Sequence, residues 1–523
     1  AAGLVGDTAT LARERDTQSR AVQNAFEELA KDLVRVTRDP DEHVRLQAIH
    51  SLGRIQSRSA ATTGTPLGTL FDSQSTLADR RAAGEALNNL VRILPQVRKT
   101  ATTLGITGSG YAVEREDRIA ISQAVITIAK KGLADSDSEV RRLCADTLLQ
   151  TALLLSDSDL IAPVRPDIEV PPEGRPLSEA ERKEIARLRE SVEAERKELR
   201  PLLAAFRDLA PNLATAAGDR DPSVRVLVIR ALEELGNARQ KLLWRAASVP
   251  EFTAAPSGKQ NGDDQKKKEE SPKKDANERK DNGQEDGLDD TRADSGAAIR
   301  YAAENVQRLP QFRLPAGDDP LLEGLQKTLR ALAEALNDPK PQVRLAAVDT
   351  LETMGDDAAP AAPHLAWALS DPDRFVRWAA ARTLGHMSPE KAGADKVVPN
   401  LIRMLDDPDL DLRVTAAQSL ERYGPDAKAA VPALAKSTGK GDPEIRRAAI
   451  RALTGIGTSA VPAIPNIATA LSHPDVRLRR TAADSLSQFG ALAKPAEPAL
   501  RKALDDTDAE VRRAAADTLL KLR

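Results

Sequence analysis

The sequence predicts an all-α solenoid of stacked helical hairpins, on three observations. An arginine returns at Arg344, Arg377, Arg413, Arg446, Arg479 and Arg512, at intervals of 33, 36, 33, 33 and 33 residues. An apolar residue precedes each (Val343, Val376, Leu412, Ile445, Leu478, Val511), and a leucine follows seven positions later (Leu351, Leu384, Leu420, Leu453, Leu486, Leu519). A proline stands fourteen residues before five of them: Pro363, Pro399, Pro432, Pro465 and Pro498. A fixed period in this range marks units that cannot bury their apolar stripe alone and therefore stack.

Residues 396–424 show one unit. The pattern predicts a first helix from Lys396 to Leu405 and a second from Leu410 to Tyr423, broken by Asp406-Asp407-Pro408. Proline donates no backbone hydrogen bond and disfavours helix in the residue before it. In the second helix Leu412, Ala416, Leu420 and Tyr423 fall on one face. Gly424 is expected to end it in the left-handed conformation, as are Gly355, Gly457 and Gly490 in their units. In the first helices the repeated proline suits a first turn, where its missing donor has no partner. Pro360, Pro462 and Pro495 predict that some first helices bend or begin late.

These units resemble HEAT repeats, and more narrowly the short bacterial type called HEAT-like or PBS-lyase-type repeats. The resemblance rests on turns and second helices such as Asp371-Pro372-Asp373-Arg374-Phe375-Val376-Arg377, continued by Ala380, Leu384 and Met387. It covers about 320–523. It implies a right-handed superhelix with second helices on the concave side, and a ladder between neighbours formed by the repeat arginine and the turn aspartate.

Before residue 250 the signature recurs around Arg45, Arg141 and Arg225, at intervals of 96 and 84. Longer helices or extra hairpins must fill such gaps. Ser178 to Arg200 reads as one long helix, with an apolar seam through Ile185, Leu188, Val192, Leu199 and Leu202 interrupted by Glu195. Pro201 is expected to kink or split it. The organisation predicted is a divergent helical region over 1–250, a disordered charged linker over 251–298, and a regular array of six units over 299–523. The linker reading rests on 257–296, rich in Lys, Asp, Glu, Gly, Asn and Gln and too poor in apolar residues to offset its ordering entropy. A basic docking or targeting segment is the alternative there.

Net charge is −3 with 30% charged residues, so no whole-chain attraction draws it to nucleic acid or acidic membranes. Cys144 is the one cysteine, which rules out an internal disulfide, and its amphipathic setting reads as an inert core thiol. No apolar run is long enough to span a membrane. The first residue is Ala1 rather than Met, compatible with removal of a signal peptide or membrane anchor. Localisation stays open, with the cytoplasm as default.

Signals for chemistry are sparse. His43, His50, His364, His386 and His473 do not pair at metal-ligand spacing, and no Cys-x-x-Cys occurs. No histidine precedes a glutamate, which argues against the HEAT-fold hydroxylases that carry repeated His-Glu dipeptides. Gly455-Ile456-Gly457-Thr458-Ser459-Ala460 mimics a dinucleotide fingerprint but follows a helix, not a strand. Gly108-Ser109-Gly110 lacks nucleophile-elbow spacing. The expectation is no catalytic residue, no cofactor and no metal. A bilin-lyase-like enzyme rests on fold analogy alone.

What remains is the second-helix surface that the core does not need, at one, five and eight or nine positions after each repeat arginine. The candidate partner-binding residues there are Trp378, Arg382, His386, Val414, Arg447, Arg451, Arg480 and Arg513. Trp and Arg are enriched in binding hot spots. A solvated helix face, with Trp378 packed on its neighbour, is the competing reading. The expected function is a non-catalytic scaffold or adaptor for a protein or peptide. The alternative is a nucleic-acid binder that uses the arginines on phosphate.

Overall fold

A computed structural model describes residues 28–54, 67–71, 75–93, 115–156, 179–247, 319–439 and 441–522. Among them every regular element is helical. The linker at 257–296 and the Gly108-Ser109-Gly110 segment lie outside the described residues. The first half contributes α1 (Glu42–Leu52), α2 (Leu77–Ile93), α3 (Arg115–Gly132), α4 (Ser138–Ser156), α5 (Glu179–Ala216) and α6 (Pro222–Ala247). The second half runs through α7 (Pro320–Ala335), α8 (Pro341–Met354), α9 (Ala362–Ala368), α10 (Arg374–His386) and the short α11 (Pro389–Ala392). It continues through α12 (Ala394–Met404), α13 (Leu410–Tyr423), α14 (Val431–Gly439), α15 (Pro443–Ile456), α16 (Ile464–Thr469), α17 (Val476–Phe489), α18 (Glu497–Ala503) and α19 (Ala509–Lys521).

The second helices begin where the Asp-rich turns predict. Asp373, Asp409, Asp442, Asp475 and Asp508 each cap one, accepting backbone N–H groups of the first turn. They end at Gly355, Gly424, Gly457 and Gly490, but not in the left-handed conformation expected. φ there is +53° to +75° with ψ near −130°, the first central position of a II′ turn, which strains any side chain. A 3₁₀ segment follows each glycine and holds Pro360, Pro462 or Pro495 where one is present. Those first helices therefore begin late, with Pro363, Pro465 and Pro498 in their first turn. The single 36-residue interval has a local cause. Ser388 stands where the other units carry glycine, and Asp356 accepts from its N–H at 2.8 Å and its hydroxyl at 2.6 Å. The chain then makes the extra turn of α11 and reverses at Gly393, φ +75°.

Stacking buries the predicted stripe: Leu351, Leu384, Leu420, Leu453 and Leu486 are all fully inaccessible. Alanines fill the space between neighbouring second helices (Ala347, Ala380, Ala416, Ala449, Ala482), so the core is thin. Cys144 is fully buried, and burial pushes its thiol pKa up, away from reactivity.

The arginine–aspartate ladder is present. Each rung joins a repeat arginine to a carboxylate of the next unit: Arg45 to Asp79 at 3.3 Å, Arg80 to Asp135 at 2.7 Å, Arg141 to Asp219 at 2.7 Å and Arg225 to Asp338 at 2.6 Å. It continues from Arg344 to Asp371 at 2.7 Å, Arg377 to Asp407 at 3.1 Å and Arg479 to Asp506 at 2.8 Å. The same guanidinium also donates to the backbone carbonyl of its own unit's aspartate, as Arg344 does to Asp338 O at 2.8 Å. The fork thus ties two turns together, and the rung aspartates other than Asp79 order their own turns by accepting an N–H two residues on, as in Asp371 to Asp373. Where His473 replaces the aspartate, its Nδ1 accepts the Asp475 N–H at 3.0 Å, while Arg446 donates to the Thr438 carbonyl at 2.7 Å.

The interval between Arg45 and Arg141 contains a further unit around Arg80, on α2. Asp79 stands in place of the usual apolar residue; it receives Arg45 and forms a reciprocal cap with Thr76 at 3.2 Å. The long helix continues from Glu179 to Ala216 through Pro201 and Pro211, so Pro201 does not split it. Its stripe of Leu199, Leu202, Phe206, Leu209 and Leu213 is buried on both sides of Pro201, which offsets the lost backbone bond.

The chain divides into two compact units. One comprises 1–163, 194–241 and 315–523; the other comprises 164–193 and 242–314. In the second, the described residues are 179–193 and 242–247, and Glu179 pairs with Lys183 at 2.9 Å along the helix. Within the first, α6 and α8 stack as neighbouring second helices although far apart in sequence. Besides the Arg225–Asp338 rung, Thr350 donates to the Ile229 carbonyl at 3.1 Å and Gln240 to the Thr353 carbonyl at 2.8 Å. Arg239 bridges to Asp319 at 2.7 Å and Asp357 at 3.1 Å. A Cβ at Gly236 would lie 1.9 Å from Thr353 Oγ1, so this approach requires glycine.

Candidate partner-binding face

Helical spacing places the positions one, five and eight or nine after each ladder arginine on the face of the second helices that turns away from the first helices' packing. α10 carries the most developed group. Trp378 remains about one-third exposed, at 36%, and the Arg382 guanidinium lies 4.3 Å over its ring. Arg382 also pairs with Glu352 of α8 and reaches Asp349 at 3.6 Å. His386 Nδ1 meets Glu352 at 3.1 Å. Three of the sequence-predicted residues, Trp378, Arg382 and His386, are thereby drawn together, with Glu352 as the link.

The other candidates are dispersed. Val414 is buried, at 8% exposure, and belongs to the packing between helices rather than to the open surface. Arg451 stands 3.9 Å from Glu421, and Arg513 is a largely exposed side chain 4.0 Å from Asp517. Arg480 pairs with Asp508 at 2.6 Å and Glu510 at 2.7 Å of the next unit. Arg81 makes the equivalent link to Asp137 at 2.7 Å, and Arg447 interacts electrostatically with Asp475. The position after the ladder arginine therefore supports a second, partial set of inter-unit pairs onto capping aspartates.

Carboxylates occupy several of the remaining positions. Burial, then Asp349 and Glu234, push Glu233 up to about 7; burial, against the pull of Arg382, pushes Asp349 up to about 6. Glu421 and Asp484 are raised in the same way, by burial first. Burial also acts to raise Glu352, but His386 and Arg382 outweigh it and hold its carboxyl below the ordinary range. Sequence reasoning passed over Glu233, although its offset of eight from Arg225 matches that of Glu352 from Arg344. It also passed over Phe375, three residues before Trp378 and 57% exposed beside Arg374.

Among the described residues no group of three or more His, Cys, Asp or Glu is placed to hold a metal. At the Gly455-Ile456-Gly457 segment, a Cβ on Gly455 would lie 2.9 Å from the Glu421 carbonyl oxygen. That glycine serves close helix approach, which accounts for it without a cofactor.

The family comparison matches the regular, later part of the ladder. The HEAT repeat family matches at 329–421, 362–453 and 431–520. Residues 329–520 are HEAT repeats. The chain is similar to several solved structures. One engineered protein shares 17% identity, with 94% of this chain and 98% of that chain covered, at a TM-score of 0.47. A second engineered protein shares 22% identity over 37% of this chain and 96% of its own, at 0.33. A designed armadillo repeat protein in complex with a peptide shares 17% identity over 37% of this chain and 99% of its own, at 0.33. No curated protein matches the sequence.

Proposed function

We propose that the protein is a non-catalytic scaffold that binds a protein or peptide partner along the face formed by its second helices. One observation carries this reading. On that face, in a chain with only 2% aromatic residues, an exposed indole is held in a fixed position by a stacked guanidinium, itself anchored on a carboxylate of the neighbouring repeat. A rigid, partly open aromatic beside charged groups is the composition of a protein-binding hot spot. The nucleic-acid reading is less well supported, because Arg382 and Arg480 are already engaged with carboxylates that would repel phosphate.

The test compares Trp378→Ala with Arg447→Glu/Arg451→Glu in capture of the natural partner from source-cell extract. Loss of a polypeptide partner in Trp378→Ala, with thermal stability unchanged, supports the scaffold reading. If only the arginine variant loses its ligand, and that ligand is nucleic acid released by moderate salt, the reading fails.

A further inference from the structure

We infer that the second-helix face from α6 through α8 and α10 to α13 is a docking surface for an extended, lysine- or arginine-containing peptide segment. This rests on the scaffold reading and specifies the chemistry of its partner. The argument is charge complementarity around an aromatic anchor. Phe375 and Trp378, three residues apart on α10, are 57% and 36% exposed, an apolar spot that the fold does not cover. Carboxylates flank it on both sides: Glu233 on α6 and Asp349 on α8 toward one end, Glu421 on α13 toward the other.

The cations nearby are shared among carboxylates or stand at the outer limit of ion pairing. Arg382 and His386 are spent on Glu352, and Arg382 reaches Asp349 only at 3.6 Å. Arg451 stays 3.9 Å from Glu421, with Arg422 also in electrostatic range, and Arg230 is the cation that acts on Glu233. Half-buried, crowded carboxylates that resist ionisation are stabilised by an incoming cation, which restores the charged form. A phosphate backbone would meet repulsion at the same positions.

Spacing is consistent with an extended occupant. Neighbouring packed helices lie about 10 Å apart, and a chain extended in the polyproline II form advances about 9 Å in three residues and returns its side chain to the same side. A cationic side chain at every third position therefore meets one second helix after another. Crossing from α6 to α13 takes about ten residues.

The test uses fluorescence anisotropy with a labelled peptide of about ten residues, with lysine at every third position, one central leucine and serine elsewhere. Its glutamate counterpart and a single-stranded DNA of similar length are the comparison probes. The full-length protein should bind the lysine peptide and neither of the others. Glu233→Gln/Asp349→Asn/Glu421→Gln should weaken it at least about tenfold and flatten its salt dependence. Glu233→Gln alone should show a smaller loss and serves if the triple variant does not fold. Failure of the wild type to bind, equal affinity for the glutamate peptide or the DNA, or an unaffected triple variant each overturns the inference. The scaffold reading would survive such a result if Trp378→Ala still released the natural partner.

Discussion

Arg344→Ala removes one rung of the ladder at its best-defined point. Its guanidinium makes two contacts of 2.7 Å with Asp371 and one of 2.8 Å with the Asp338 carbonyl. The two side chains are 11% and 7% exposed, so the pair is effectively buried. Asp371 would keep only local help, the 2.8 Å bond from the Asp373 N–H. Removing one partner of a buried, hydrogen-bonded ion pair costs about 3–5 kcal/mol, and the surviving bond argues for the lower end, ~3 kcal/mol. Arg512 is an internal control: it donates to its own Asp506 carbonyl, pairs with no carboxylate among the described residues, and is exposed. Arg512→Ala should cost less than about 1 kcal/mol. Urea titration with hydrogen exchange would read both. Arg344→Ala should lose protection chiefly in α8 and α10, the helices whose turns it joins, because coupling along a solenoid is mostly nearest-neighbour. Replacing both partners with apolar residues, Arg344→Met/Asp371→Leu, should recover much of the loss. Equal effects at Arg344 and Arg512 would refute the view that the inter-unit contact, rather than the bond within one turn, is what stabilises the array.

Three further outcomes are expected. Leu420→Ala, at a fully buried position, should destabilise by about 2–5 kcal/mol and loosen the adjoining repeats, read as a lower urea midpoint. Glu233 holds its proton more tightly in the folded chain, up to about 7 against an ordinary 4.5. Its contribution to stability should therefore fall as pH rises through that window. Glu233→Gln should remove that part of the pH dependence and raise the thermal midpoint near neutrality, and an unchanged pH profile would contradict the assignment. The composition of 259–292 predicts that limited proteolysis cuts there first. Because α6 and α8 stack through Arg225–Asp338 and Gln240–Thr353, the two products should co-elute on gel filtration. Their separation under native conditions would contradict the continuity of the stack.

The fold was legible wherever the period was intact. Ladder arginines, turn aspartates and buried leucines announce themselves because each unit solves the same stacking problem with the same residues. Legibility failed where one residue did two jobs. Asp79 replaces the apolar residue before Arg80, and the unit around α2 was hidden, although Leu87 keeps the offset of seven. The stacking of α6 on α8 spans more than a hundred residues, and its markers, Gly236 against Thr353, carry no local pattern. The face was half legible. Offsets from the repeat arginine located Trp378, Arg382 and His386, but the sequence does not say which arginines are spent. Arg480 and Arg382 look alike in sequence; one bridges to capping and first-turn carboxylates of the next unit, the other stacks on an indole.

Site-specific photo-cross-linking tests the central claim most directly. A benzophenone side chain placed at Trp378, on the second-helix face, is compared in source-cell extract with one at Arg403, an exposed position on the first helix α12. The account predicts a discrete polypeptide adduct from position 378 and none from position 403. A nucleic-acid adduct at 378, or equal adducts from both positions, would contradict it.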